Sequence, residues 1–353
     1  MSTVPPLNQR WPAPSEPKPI VIIGTGDVVR DAHLPAYAKA GLPVAGLFDI
    51  DKGRSQTLAE AFTVDRVFDS LEEAVSMRDV VFDLALPPSA ICTALDSLPD
   101  GAAVLIQKPM GENLEDARQI RGRCRDKHLT AAINFQLRFS PMMLAVRDAM
   151  ERGLIGDIID VDIHLNLRDP WETFLFMLQM DRIEILVHSI HYLDWIRSLL
   201  GNPRGVYART IRHPSFPDLR DIRSSIILDY GDATRCCLSL NHTHEFGSRH
   251  ELSRVQVDGT QGAVVTRMGV NLDYPRGKPD RLEIATKGKD WAEITLLGNW
   301  FPDAFMGPML NLQRFASGED DTLFTSVEDA FHTMALVEAC YESSNKGATP
   351  IPN

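Results

Sequence analysis

Two side chains in this sequence have the chemistry of proton transfer at neutral pH. His191 carries an imidazole, whose ordinary pKa of about 6.5 lets it take up and release a proton in that range. It stands in Ile190-His191-Tyr192-Leu193-Asp194, inside a stretch 182–200 that reads as one long helix stopped by Gly201 and Pro203. Helical spacing places Glu184, His188, His191 and Asp194 or Trp195 close to one stripe. One helix alone seldom completes a metal's coordination, so no metal site is expected. A packed, hydrogen-bonded core histidine is the plainer alternative. Lys108 precedes Pro109 at the carboxyl end of the apolar run 102–106. An ammonium there can donate to a hydroxyl, or lose its proton through burial and join proton transfer; a solvated lysine is the alternative. A base and a donor of these kinds suit the oxidation of an alcohol, in which a proton leaves oxygen while hydride leaves carbon.

A second set of residues has the chemistry of phosphate and ribose recognition. Gly24-Thr25-Gly26-Asp27-Val28-Val29 directly follows a short β-branched run and precedes a helical stretch. Gly24 permits the tight turn, Gly26 lets backbone approach a pyrophosphate, and the helix N-terminus supplies N–H donors. Val29 stands where a third glycine is usual, which loosens the match. Asp49 lies 25 positions after Gly24, in Leu47-Phe48-Asp49-Ile50-Asp51. A carboxylate there accepts from adenosine ribose hydroxyls and repels a 2′-phosphate, so the expected cofactor is NAD rather than NADP. Asp51 is the better candidate for an ordinary helix N-cap. Ile50, Leu86, Pro87, Gln107, Lys108 and Asn134, at or just past strand ends, complete the expected cofactor surface.

These residues need a frame. Apolar runs at 20–23, 43–48, 80–86, 102–106 and 130–134 alternate with helical stretches at 31–40, 54–62, 89–95 and 114–126. That alternation predicts an α/β fold with an N-terminal Rossmann, doubly wound parallel sheet over residues 19–138. Beyond it, strand-like stretches at 158–167, 206–211, 224–228, 234–240, 253–257 and 263–267 follow one another with few helices between. They predict a C-terminal α/β domain, 139–353, built on a large, mostly antiparallel sheet that holds substrate and oligomer contacts. Residues 1–18, with Pro5, Pro6, Pro12, Pro14 and Pro17, read as a flexible tail. Asn166, Arg168 and Trp171 follow the first strand of that domain, and Asn241 to His244 form a polar cluster at another strand end. Arg168 and Trp171 are candidate substrate contacts, Trp171 either by stacking on a sugar face or, equally, as a buried core tryptophan. His242 and His244 alternate, so one of them is expected to face inward.

Bulk properties narrow the class. The 353 residues suit about two domains, and a formal net charge of −12 opposes long-range attraction to nucleic acid or an anionic membrane. The five cysteines form no CxxC pair, which points to a reducing, cytoplasmic setting without zinc or disulfide framework. No stretch approaches the roughly 20 apolar residues of a membrane span.

Four motifs, in order, carry a family resemblance. Ile23-Gly24-Thr25-Gly26 with His33-Leu34-Pro35, Gln107-Lys108-Pro109-Met110, Asn134 through Pro141, and Ile190 through Asp194 with Leu199-Leu200-Gly201 together resemble the Gfo/Idh/MocA oxidoreductases, over residues 19–345. The resemblance implies NAD-dependent hydride transfer from a sugar or polyol hydroxyl, for example at C1 of an aldose to give a lactone. It implies that Lys108 contacts substrate and nicotinamide, that His191 is catalytic, and that the chain forms a homodimer or homotetramer through the open face of the C-terminal sheet. The stretch 182–194 is similar to dehydrogenases of a branched pentose, D-apiose. Gln107 replaces the family's usual glutamate, and Val187 replaces an aspartate four residues before the histidine. Either His188, one residue later, takes over a substrate contact, or the proton route uses Lys108 and His191 only. A cofactor-retaining glycosidase and a non-catalytic sensor of NAD or sugar are the alternatives.

Overall fold

The computed structural model describes residues 5–171, 180–274 and 276–352. The chain forms two compact units, neither continuous in sequence: residues 10–140 with 301–334, and residues 5–9, 141–300 and 335–352. The segment 301–334 thus belongs with the N-terminal unit, which a division at 138/139 had assigned to the C-terminal domain. The reason is packing: Phe305, Met309, Leu310 and Leu312 join Ile20, Ile22, Leu105 and Ala132 in one core.

In the first unit, β1 (Ile20–Ile23), β2 (Val44–Phe48), β3 (Val81–Leu84), β4 (Ala103–Ile106) and β5 (Thr130–Ile133) form a parallel sheet ordered β2-β1-β3-β4-β5. The strands are short apolar runs because helices cover both faces; β1 and β3 are buried throughout. Several of the helices between them, though not the first or Ile91–Ser97, begin on side chains that satisfy their first N–H groups. Asp51 caps Lys52–Phe62 by accepting from Arg54 N, and Asn113 caps Leu114–Asp126 by accepting from Glu115 and Asp116 N. Strand order reverses between β1 and β3, the place in a doubly wound sheet where ligands bind outside the carboxyl ends.

In the second unit, β6 (Ile158–Asn166), β7 (Gly205–Ile211), β8 (Arg223–Asp229), β9 (Arg235–Asn241), β10 (Leu252–Gly259), β11 (Gly262–Arg267), β12 (Arg281–Thr286) and β13 (Ala292–Ile294) form one sheet. Its order is β13-β12-β11-β10-β6-β9-β8-β7, and every pair is antiparallel except β6 with β9. Burial alternates along β8 and β9, so one face is covered and the other open. Among the described residues, no helix is long and apolar enough to cross a membrane.

Residues 5–18 are not a loose tail. Leu7 and Gln9 are buried, and Gln9 exchanges hydrogen bonds with Thr295 O and Leu297 N in the second unit. In the first unit, Trp11 packs edge-on to Phe139 and Phe324 and donates its indole N–H to Asp320. Ser15 bonds Glu319, and Lys18 exchanges bonds with Gln313. Proline composition argued for disorder, but one tryptophan and a few polar side chains supply the anchoring that composition averages away.

Candidate active site

The parallel ladder of the first unit continues just past its strands. Gly24 N donates to Phe48 O, Ala85 N to Ile23 O, Gln107 N to Leu84 O and Asn134 N to Ile106 O. These bonds bring Gly24, Asp49, Leu86, Gln107 and Asn134 to one edge of the sheet. Gly24 holds φ +95°, and a Cβ there would lie 2.4 Å from Ala85 O, so only glycine fits the turn. A Cβ on Gly26 would meet nothing within 4 Å, leaving the space a pyrophosphate needs. Val29, at the third-glycine position, is buried in the core, and the helix opens with a π-turn over Val29–His33. Asp49 Oδ2 accepts from Thr25 N at 2.6 Å and from the Thr25 hydroxyl at 3.0 Å, while Oδ1 accepts from Asp51 N at 2.9 Å. The residues present fit NAD: a glycine turn, an open phosphate surface and an oriented acid at the end of β2.

The other expected cofactor residues divide. Asp27 is exposed and paired with Arg30, Val28 and Leu86 are half-buried, and Ile50 and Pro87 are exposed. Asn134 is turned inward: its Nδ2 lies 3.3 Å from His33 Nε2, and His33 Nδ1 and the Tyr37 hydroxyl both bond Asp83 at 2.7 Å. Asp83 thus ties β3 to the first helix while Asn134 bonds the far nitrogen of His33, an inward turn that its sequence position alone could not show. Lys108 is half-buried at the end of β4, and Gln107 Oε1 accepts from its backbone N. Loss of water around the Lys108 ammonium brings its pKa down to about 8.

The second unit builds a separate polar cluster. β6 and β9 run parallel with Asn166 opposite Asn241, so the chain just beyond each emerges side by side. Asp169 and His242 meet there, with Oδ2 2.7 Å from Nδ1. The π-turn Glu184–Ser189, leading into the helix Ile190–Leu200, adds two more groups. Glu184 Oε1 lies 3.3 Å from His242 Nε2 and accepts from the Ser189 hydroxyl at 2.7 Å. The His188 ring stacks on His242 at 4.4 Å between centroids, and its Nε2 lies 3.8 Å from Asp169 Oδ2. Burial alone would lower the His242 pKa, but the two carboxylates raise it to about 10. Burial likewise works to raise Asp169 and Glu184, and the imidazole holds both below their ordinary values.

Trp171 is buried beside this cluster and donates its indole N–H to His242 O. Its ring lies 5.7 Å from His188. Val187, at the family's aspartate position, is buried among Trp171, Ile183, Leu219 and Ile222. Arg168 is exposed; its backbone bridges Thr243. His191 is 7% exposed at the start of its helix, its ring edge-on to Trp300 at 5.7 Å. Of the expected substrate contacts in this unit, His188 and Trp171 are thus brought together. Sequence reasoning passed over Asp169, although Arg168-Asp169-Pro170-Trp171 places a carboxylate directly after a strand end.

Family models match both parts of the chain. Residues 18–135 match the oxidoreductase family's NAD-binding Rossmann fold, and residues 147–352 match its C-terminal alpha/beta domain. The chain belongs to the Gfo/Idh/MocA oxidoreductase family. It is 25% identical over 346 residues to a D-apiose dehydrogenase of Paraburkholderia graminis, covering 93% of this chain and 88% of that one. It is 25% identical over 278 residues to an inositol 2-dehydrogenase of Rhizobium meliloti, covering 75% and 78%. Among solved structures, an Agrobacterium radiobacter oxidoreductase in complex with NAD+, L-tartaric acid and magnesium superposes with a TM-score of 0.77 at 21% identity, covering 94% of this chain and 98% of that one.

Proposed function

We propose that this oxidoreductase oxidises a hydroxyl of a sugar or polyol with NAD as acceptor, at C1 of an aldose to give a lactone. The observation that carries this reading is Lys108. It stands at the carboxyl end of β4, on the sheet edge that holds the Gly24 turn, with its ammonium brought down to about 8. An amine set there can hold a substrate hydroxyl and exchange its proton near neutral pH. The Gly24–Gly26 turn would hold the pyrophosphate and Asp49 the adenosine ribose. Bound NAD supplies the hydride acceptor. His191 takes the hydroxyl proton, Lys108 orients the oxygen, and His188 and Trp171 form part of the sugar's walls. The full-length likeness to a D-apiose dehydrogenase supports an aldose, with D-apiose the first to try.

The open face of the eight-stranded sheet shows Tyr207 at 70%, Ile227 at 49% and Ile211 at 42% exposure. Exposed apolar residues of this size favour burial against a second copy, which supports a homodimer or homotetramer. Light scattering of the purified chain tests that assembly, and a monomer would contradict it. The activity is tested with a panel of aldoses and polyols, following NADH. Net NADH from an aldose supports the reading. Glycoside cleavage without net NADH would instead select a cofactor-retaining glycosidase, and binding without turnover a sensor.

A further inference from the structure

We propose that Asp169, His188 and His242 form a binding site for one divalent transition-metal ion of the zinc class, with a further coordination position left open. The metal-ligating atoms of these three residues lie within 4.8 Å of one another, and among the described residues no other His, Cys, Asp and Glu group does so. Two imidazoles and one carboxylate are a donor set that suits zinc and its neighbours rather than magnesium or calcium, which prefer oxygen. The ligands come from three separate segments: the chain after β6, the π-turn before the helix Ile190–Leu200, and the end of β9. The expectation of no metal rested on one helix lacking enough ligands, and the strand ends supply the rest.

The groups around the cluster also point to a cation. Glu184 is fully buried, its Oε1 lies 3.3 Å from His242 Nε2, and the Ser189 hydroxyl fixes that oxygen. A buried carboxylate on one ring nitrogen is the usual means of directing the other nitrogen toward a metal. That other nitrogen, Nδ1, faces Asp169 Oδ2 at 2.7 Å. A proton on Nδ1 closes that contact as a hydrogen bond, and a metal ion would displace the proton and take both atoms as ligands. The side chains of Asp169 and His188 are 17% and 21% exposed, which leaves a way in. Three protein ligands with an open position are the pattern of a catalytic rather than a structural zinc. The chemical use of the site rests on the dehydrogenase reading: a hydroxyl oxygen in the open position would be polarised.

The test uses the full-length chain, stripped with a chelator and titrated with Co2+ alone. One equivalent should bind with visible d–d absorption, and Zn2+ should displace it. D169N and H188Q should each weaken Co2+ binding by about tenfold or more, and E184Q by about 10- to 100-fold, with NAD affinity unchanged as the check on folding. Absence of a stoichiometric Co2+ site in the folded wild type would overturn the proposal, as would wild-type affinity in both D169N and H188Q. Turnover is not read in this titration. A chain that binds Co2+ but oxidises no sugar contradicts the proposed function and leaves the metal site standing; sugar oxidation by a chain with no Co2+ site does the reverse.

Discussion

Asp49 is held by the glycine turn it serves: its Oδ2 accepts from both the backbone N and the hydroxyl of Thr25. The residue between Gly24 and Gly26 therefore orients the acid at the end of the neighbouring strand. Oδ2 is filled by its two bonds from Thr25, whereas Oδ1 accepts only from Asp51 N and keeps a lone pair for a ribose hydroxyl.

Replacing Asp49 with Ala should erode the preference for NAD over NADP. Hydrogen bonds to a charged group are worth roughly 1.5–3 kcal/mol, which predicts about a 10- to 100-fold loss in kcat/KM for NAD. Steady-state kinetics with both cofactors check this. Wild-type turnover of NADP matching that of NAD would contradict the assignment.

Lys108 should show opposite effects on stability and activity. Its folded pKa, about 8, lies below the ordinary lysine value, so the folded state binds fewer protons than the unfolded state between these limits. Stability should therefore rise with pH across that window, and the cost of the buried charge is fully present below it. Lys108→Met should raise thermal stability at neutral pH, by roughly 1 kcal/mol after allowance for its partial exposure, while lowering turnover sharply. Activity of the wild type should change through about pH 8, and Lys108→Met should abolish that inflection. A variant that is both less stable and fully active would contradict this account.

His191→Asn should keep NAD affinity and lower turnover by about 100- to 10,000-fold, the usual contribution of a positioned general base. His188→Ala should act chiefly on KM. If His191→Asn turns over like wild type while His188→Ala is inactive, the roles belong to the other histidine.

The N-terminal segment should matter for stability. Trp11 packs on Phe139 and Phe324 and bonds Asp320. Removing residues 1–18, or replacing Trp11 with Ala, should cost roughly 2–4 kcal/mol, read as a lowered Tm. An unchanged Tm would show that the segment contributes nothing.

The contrast between what the sequence reveals and what it hides follows from distance along the chain. The β1 run, the Gly24 turn, Asp49 and the Asp51 cap all lie within 32 residues, from Ile20 to Asp51, and each rests on local backbone rules. The Asp169–His242–Glu184 cluster depends on β6 pairing parallel to β9, a long-range register with no local mark. Asn134 shows a different limit, since its position at a strand end is readable and its inward turn toward His33 is not. The return of residues 301–334 to the first unit is likewise a matter of packing rather than periodicity.

Transfer of the hydride itself is the most direct test. The best substrate from the sugar panel, carrying deuterium at the carbon to be oxidised, would be incubated with the enzyme and NAD, and the reduced cofactor analysed by mass spectrometry. The account predicts NADH bearing one deuterium, formed in equal amount with the oxidised sugar. Release of the label to water, or product formed with no net NADH, would contradict it.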